Sequence, residues 1–142
     1  SAPTSIPGTA AIDFVIFPPR WAVQDDTFRP PYYHINCMTE FMGNIMGKYD
    51  AKPTGFLPGG ASLHSCMIGH GPDSNTFNVT TKKDAPPLEP KLMSKNDLAF
   101  MFESTYVMKL TPWALQETLL ETDYYQCWTK LERKFHYDDE KK

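Results

Sequence analysis

Pro30-Pro-Tyr-Tyr-His34-Ile-Asn-Cys-Met-Thr-Glu40-Phe-Met-Gly-Asn-Ile-Met-Gly-Lys-Tyr-Asp50 is the run that decides the architecture. The paired prolines impose extended backbone and deliver Tyr32-Tyr33-His34 on a stiff, aromatic-flanked segment. From Glu40 onward the residues alternate. Phe41, Gly43, Ile45, Gly47 and Tyr49 fall on one side, and Glu40, Met42, Asn44, Met46 and Lys48 on the other. That is the period of a strand. The two glycines in it mark a bulge or the close approach of another backbone.

Working outward, the same β character recurs. Phe14-Val-Ile-Phe17 is a short apolar run closed by Pro18-Pro19 and reads as a buried strand. Pro53-Thr-Gly55 and Pro58-Gly59-Gly60 are turns, and Ser62 to Ile68 reads as a strand ending at Gly69-His70-Gly71-Pro72. Asp73 to Lys83 holds a short helix. Ala85 to Pro90 is an extended surface loop, its PxxP spacing being weak evidence for a recognition ligand. Leu98 to Phe102 and Tyr106 to Leu110 read as strand. Thr111-Pro112 can start a helix. Asp123 to Gln126 has capping-box spacing, after which Tyr124, Cys127, Trp128, Leu131 and Phe135 recur at helical intervals. The expectation is a mainly β chain with an amphipathic C-terminal helix, residues 1–110 forming a β portion and 111–142 a helical segment packed on it. Thirteen prolines and eight glycines agree with short strands and ordered loops.

A chain of 142 residues fits one domain, enough to bury roughly 70% of its unfolded surface. Fourteen Lys and Arg against seventeen Asp and Glu give a net charge of −3, and basic residues cluster only in the terminal lysines. Nucleic acid is therefore not an expected partner. There is no apolar run near the ~20 residues of a membrane span and no signal peptide. Three scattered cysteines, Cys37, Cys66 and Cys127, do not make a disulfide framework and suit a reducing, cytoplasmic compartment. The sequon at Asn78-Val79-Thr80 is discounted without a secretory signal.

The chemistry concentrates in the same region. Three of the four histidines, His34, His64 and His70, lie between Pro30 and Asp73 together with Glu40. A carboxylate in an apolar run needs a charged partner or a metal. Two imidazoles and a carboxylate are the ligand set of a non-haem Fe(II) oxygenase, which keeps positions open for substrate and O2. The spacing is demanding. Six residues along a straight strand span ~20 Å, and on a helix they turn through about 600°. His34 and Glu40 can share a metal only if Asn36 to Thr39 bends. His64 and His70 compete as third ligand. The plainer alternatives are hydrogen-bonded histidines in core or loops and a Glu40 paired with Arg20 or Arg29. Cys37 and Cys66 can join a zinc site, but there is no CxxC pair. Ser62 and Ser65 flank His64 without a nucleophile elbow.

Six blocks together resemble one family. They are Phe14 to Trp21, Phe28 to His34, Glu40 to Gly43, Phe56 to Gly60, Ser62 to Ser65 and His70 to Asp73. In this order they are similar to the C-terminal part of the homogentisate 1,2-dioxygenases, from about Ile12 through Ser104 and more loosely into the terminal segment. The resemblance implies a cupin-type double-stranded β-helix, that is a jelly-roll barrel. It implies Fe(II) held by His34, Glu40 and His70, and so decides for His70 over His64. It also implies cleavage of homogentisate by O2 to maleylacetoacetate in tyrosine and phenylalanine breakdown. Tyr49 matches a substrate-contacting tyrosine, His70 lies beside substrate as well as metal, and His64 lines the pocket. A metal-bound hydroquinone needs a proton acceptor, and His64, behind the ligands, is the candidate catalytic group for it. If Tyr49 and Glu40 both face the iron, parity requires a bulge near Gly43 or Gly47. The family assembles as trimers paired into hexamers. Its chain is longer and includes a large N-terminal domain, and its catalytic base lies just upstream of these residues. The expectation is therefore iron binding at best, weak or absent turnover for this portion alone, and exposed apolar surface where the N-terminal domain docks. A non-catalytic cupin that binds a small molecule is the competing function, with a hydrolytic zinc cupin behind it.

Overall fold

The computed structural model describes residues 1–4, 6–22, 32–81, 91–92, 95–116 and 118–134. The fold is mainly β, in keeping with a cupin-type architecture. Strands β1 (Ala2–Pro3), β2 (Ala10–Phe17), β4 (Thr39–Met46), β5 (Ala61–His64) and β7 (Leu98–Ser104) make one antiparallel sheet in the order β1-β2-β7-β4-β5. β3 (Trp21–Ala22) and β6 (Lys91–Leu92) form a separate antiparallel pair. Helix α1 (Ser74–Thr80) starts at Asp73, whose Oδ1 accepts the Thr76 N–H at 2.7 Å. That satisfies a donor the first helical turn leaves unpaired.

Register gives the sheet two unlike faces, because side chains alternate along every strand. Asp13 stands opposite Glu103, Glu103 opposite Glu40, and Glu40 opposite His64, a polar row crossing β2, β7, β4 and β5. Phe17, Met42 and Met101 share that face and line a cavity with Glu40 and His64. On the other face Phe14 meets Phe102 at 4.8 Å between ring centroids, and Phe100 lies 5.8 Å from Phe102 and 6.1 Å from Phe41. Gly43 faces Phe100 across the ladder, and a Cβ there would lie 2.4 Å from that ring. The glycine is the gap through which the ring crosses.

Phe14 to Phe17 is therefore strand, as expected, but it is not buried. Phe14 is 54% and Ile16 51% exposed, because they lie on the aromatic face of a strand whose other face carries the polar row. Among the described residues Met42 and Ala99 are the buried hydrophobic side chains, against eight buried polar ones. The most buried of the described side chains are thus mainly polar.

Other departures have local causes. β5 stops at His64 and does not run to Ile68, since Met67 takes a left-handed φ of 63° that no strand accommodates. β7 ends at Ser104, whose hydroxyl donates to the Ala11 carbonyl and accepts the Tyr106 N–H, turning the chain out of the sheet. Tyr106 to Leu110 is consequently not strand, and among the described residues the segment just after Pro112 forms turns rather than an α-helix. The C-terminal amphipathic helix is likewise not found among the described residues. Tyr124–Trp128 form one 3-10 helix, and Asp123 makes no side-chain cap bond. Its aromatic side chains are held elsewhere: Trp128 Nε1 donates to the Gly71 carbonyl at 2.9 Å, and the Tyr124 hydroxyl lies 3.2 Å from His64 Nε2. Ala85 to Pro90, Arg29 and Phe135 lie outside the described residues.

Candidate metal centre

The bend that His34 and Glu40 require is present, and Asn36 makes it. Its Oδ1 accepts the Met38 N–H at 2.8 Å, a side-chain bond that mimics a turn and reverses the chain before β4 begins. The Asn36 carbonyl accepts the Met67 N–H at 2.8 Å, tying this bend to the one before His70. Between them His34 and His70 pair as an antiparallel bridge, each N–H donating to the other's carbonyl at 2.9 Å. Two segments far apart in sequence are so locked side by side, and their imidazoles stand 4.5 Å apart.

Glu40, near the start of β4, points at the same place. One ligand atom from each of His34, Glu40 and His70 lies within 4.8 Å of the others. His34 Nδ1 sits 2.6 Å from the Tyr32 carbonyl and His70 Nδ1 sits 2.9 Å from the Ile68 carbonyl. A carbonyl only accepts, so each Nδ1 carries a proton and each Nε2 is turned inward; that of His70 meets Glu40 at 2.5 Å and shares a proton with it, which a bound metal would displace. Outer carbonyl support of this kind accompanies metal-bound imidazoles. The donor set suits a metal ion with open coordination positions.

A family model described as homogentisate 1,2-dioxygenase C-terminal matches residues 1–135. The chain belongs to that family. It is 56% identical over 140 residues to the homogentisate 1,2-dioxygenase of Oryza sativa subsp. japonica, covering 98% of this chain. The enzymes of that name from Arabidopsis thaliana and Mus musculus are 56% and 54% identical, over 95% and 91% of it. The chain spans 29% of the length of the rice and Arabidopsis proteins and 28% of the mouse one.

In this homogentisate 1,2-dioxygenase C-terminal chain the site's electrostatics follow from burial and pairing. Burial pushes the Glu40 carboxyl up. The His70 hydrogen bond, at 2.5 Å, and the nearby charges of His70, His64 and His34 outweigh it and hold the group below its usual range. The Glu40 bond in turn raises His70. Glu40 is thus paired with His70 and not with Arg20, which reaches Asp50 at 3.8 Å. His64 stacks on His70 at 4.7 Å between centroids, and burial, reinforced by the His70 charge, lowers it to about 4. Its Nδ1 is buried with no partner. Burial also raises Tyr49, so its hydroxyl keeps its proton.

Tyr49 reaches the cavity because the β4–β7 register shifts between Asn44 and Met46 and Gly47 turns with a φ of 71°. The parity conflict is resolved there. A cavity of about 350 Å³ collects Tyr49, His64 and the three converging side chains. Cys37, Cys66 and Cys127 are free and do not join the group. Tyr124, Lys52 and Asn44, which also shape the site, were not singled out for it from sequence. Tyr124 and Lys52 carry no local pattern that points to it, and Asn44 shows only as a polar residue on Glu40's side of its strand.

Proposed function

We propose that this chain supplies the Fe(II) site of a ring-cleaving dioxygenase that converts homogentisate and O2 to maleylacetoacetate, in tyrosine and phenylalanine breakdown. One observation carries the reading above all: His34, Glu40 and His70 converge, with both imidazoles anchored through Nδ1 so that Nε2 faces the site. Fe(II) bound there would offer open positions to the hydroquinone and O2 and exchange electrons between them.

The chain's own residues do the rest. Glu40 remains ionised and balances the cation's charge. Tyr49, kept protonated by burial, donates a hydrogen bond to a ring oxygen of the substrate. His70 touches substrate from the metal side. His64 stands behind it as the tentative catalytic group. An imidazole lowered to about 4 is neutral and a weak base, suited to holding a proton at Nδ1 in a hydrogen bond rather than abstracting one. The family's base lies in the N-terminal portion, so turnover by the full reaction calls for that portion too. Assembly into trimers and hexamers and a cytoplasmic setting belong to the same reading. The free cysteines accord with a reducing compartment. Among the described residues no helix is long and apolar enough to cross a membrane.

Reconstitution with Fe(II) under reducing conditions should give about one iron per chain. Oxygen uptake should accompany homogentisate loss when the N-terminal portion is supplied. Stoichiometric iron in a His34→Ala, Glu40→Ala double variant would refute the ligand assignment. Iron binding without oxygen uptake would favour a non-catalytic cupin.

A further inference from the structure

Lys52 has no part in the reaction as described, yet it lines the same cavity. Its side chain is only 13% exposed, and an ammonium so enclosed requires an anionic partner. The partner it has is poor. Glu121 is 54% exposed, and both of its carboxylate oxygens stand 3.4 Å from Nζ. Charge-assisted N–H···O bonds close to about 2.7–2.9 Å. Nζ also lies 4.3 Å from the centroid of the Tyr124 ring, a cation–π contact that places the charge without neutralising it.

The other described cation on the cavity wall is Arg20, and it is committed differently. It pairs with Asp50 at 3.8 Å, donates to the Pro18 carbonyl at 3.3 Å and lies over the Phe17 ring. Lys52 is instead coupled to the candidate metal centre by a continuous wall of rings. Tyr124 stacks with His64 at 6.0 Å, and His64 stacks on His70 at 4.7 Å. The cavity wall therefore presents both a metal-binding group and an under-neutralised ammonium, linked by stacked aromatic side chains. The volume of about 350 Å³ lies in the range of small-molecule sites.

We propose that Lys52 is the specificity-determining anchor for the carboxylate of an aromatic acid, the substrate anion sharing or replacing Glu121 at Nζ while the ring's hydroxyl faces His34, Glu40 and His70. This rests on the functional reading above, to which it adds how the acid is told from an uncharged phenol. No bond is made or broken at Lys52.

The test uses the Fe(II)-loaded protein joined to the family's N-terminal portion, under anaerobic conditions. Calorimetry compares two unreactive probes, 2-hydroxyphenylacetate and 2-hydroxybenzyl alcohol, which share the phenol and differ in the carboxylate. The expected result is preference for the acid, lost by about tenfold or more in Lys52→Met while the alcohol's affinity stays within about twofold. Lys52→Arg should keep most of the preference, and Glu121→Gln should preserve or raise it. A wild-type protein without preference, or a Lys52→Met variant whose acid-to-alcohol ratio stays within about twofold of wild type, overturns the anchor. If Lys52→Met does not fold, loss of preference in Glu121→Gln overturns it as well. Oxygen uptake with homogentisate separates the two ideas. A collapsed ratio without turnover leaves the anchor standing and removes the reaction; turnover with an unchanged ratio does the reverse.

Discussion

Replacing Asn44 tests whether the loop carrying Tyr49 is held from β4. Asn44 is 3% exposed, and its Nδ2 donates to the carbonyls of Gly47 at 3.1 Å and Phe56 at 2.8 Å. Its main chain meanwhile donates to the Gly60 carbonyl at 3.0 Å and accepts the Gly59 N–H at 2.8 Å. Asn44→Ala keeps the main-chain pair and deletes both side-chain donors. Each such bond contributes about 1 kcal/mol net, and a carbonyl left unsatisfied costs about 1–3 kcal/mol when buried. Gly47 and Phe56 are only partly buried, so water recovers part of that cost. The Asn44 Oδ1 has no partner, so its removal costs nothing. The sum is a loss of about 2–4 kcal/mol, or roughly 6–12 °C in Tm for a chain of this size. Asn44→Asp should be worse near neutral pH, because it turns two donors into acceptors aimed at carbonyl oxygens. Urea unfolding of the metal-free protein, with the denaturant slope compared between variants, gives the number. A loss below about 0.5 kcal/mol for Asn44→Ala, or an aspartate variant as stable as wild type, would show that the two bonds do not hold the loop.

Gly47→Ala should cost about 2 kcal/mol or more in the same assay. Its φ of 71° disfavours a side chain, and a Cβ would fall 2.2 Å from Asp97 Oδ1 and 2.4 Å from the Asn96 carbonyl oxygen. An unchanged unfolding midpoint would contradict this backbone geometry. For pH, His64 sets a testable sign in the metal-free protein. Its folded value of about 4 lies below the ordinary 6.5, so the unfolded chain binds the extra proton first. The stability it contributes is full above 6.5 and is lost as pH falls towards 4, about 2–3 kcal/mol in all. His64→Gln should flatten that window relative to wild type; parallel stability curves between pH 6.5 and 4 would show that the imidazole is not held neutral.

Much of this was legible in the chain because two signals are strictly local. Alternation in Glu40 to Met46 marks β4 and the sides of its residues, and the glycines at 43 and 47 announce a break in parity without saying which of them makes it; the register shifts between Asn44 and Met46 and the chain turns at Gly47. The distance between His34 and Glu40 demands a bend at Asn36 to Thr39, and the Asn36 side chain makes it there. Local pattern failed where a distant contact decides. Phe14 and Ile16 read as buried because periodicity reports a face and not what covers it. Ser62 to Ile68 looks β-like until Met67 turns left-handed to meet Asn36. Tyr124 and Trp128 carry helical spacing, but their side chains are claimed by His64 and Gly71, more than fifty positions earlier in the chain. No periodicity in the last twenty residues encodes that.

Both inward-facing imidazoles lean on backbone oxygens two positions upstream. The side chains at those positions, Tyr32 and Ile68, are 64% and 52% exposed. Drift at 32 or 68 can therefore exchange one side chain for another without disturbing which ring nitrogen faces the interior. The orientation of the two histidines is insulated from the neighbours that mutate most easily, since every amino acid brings the same carbonyl.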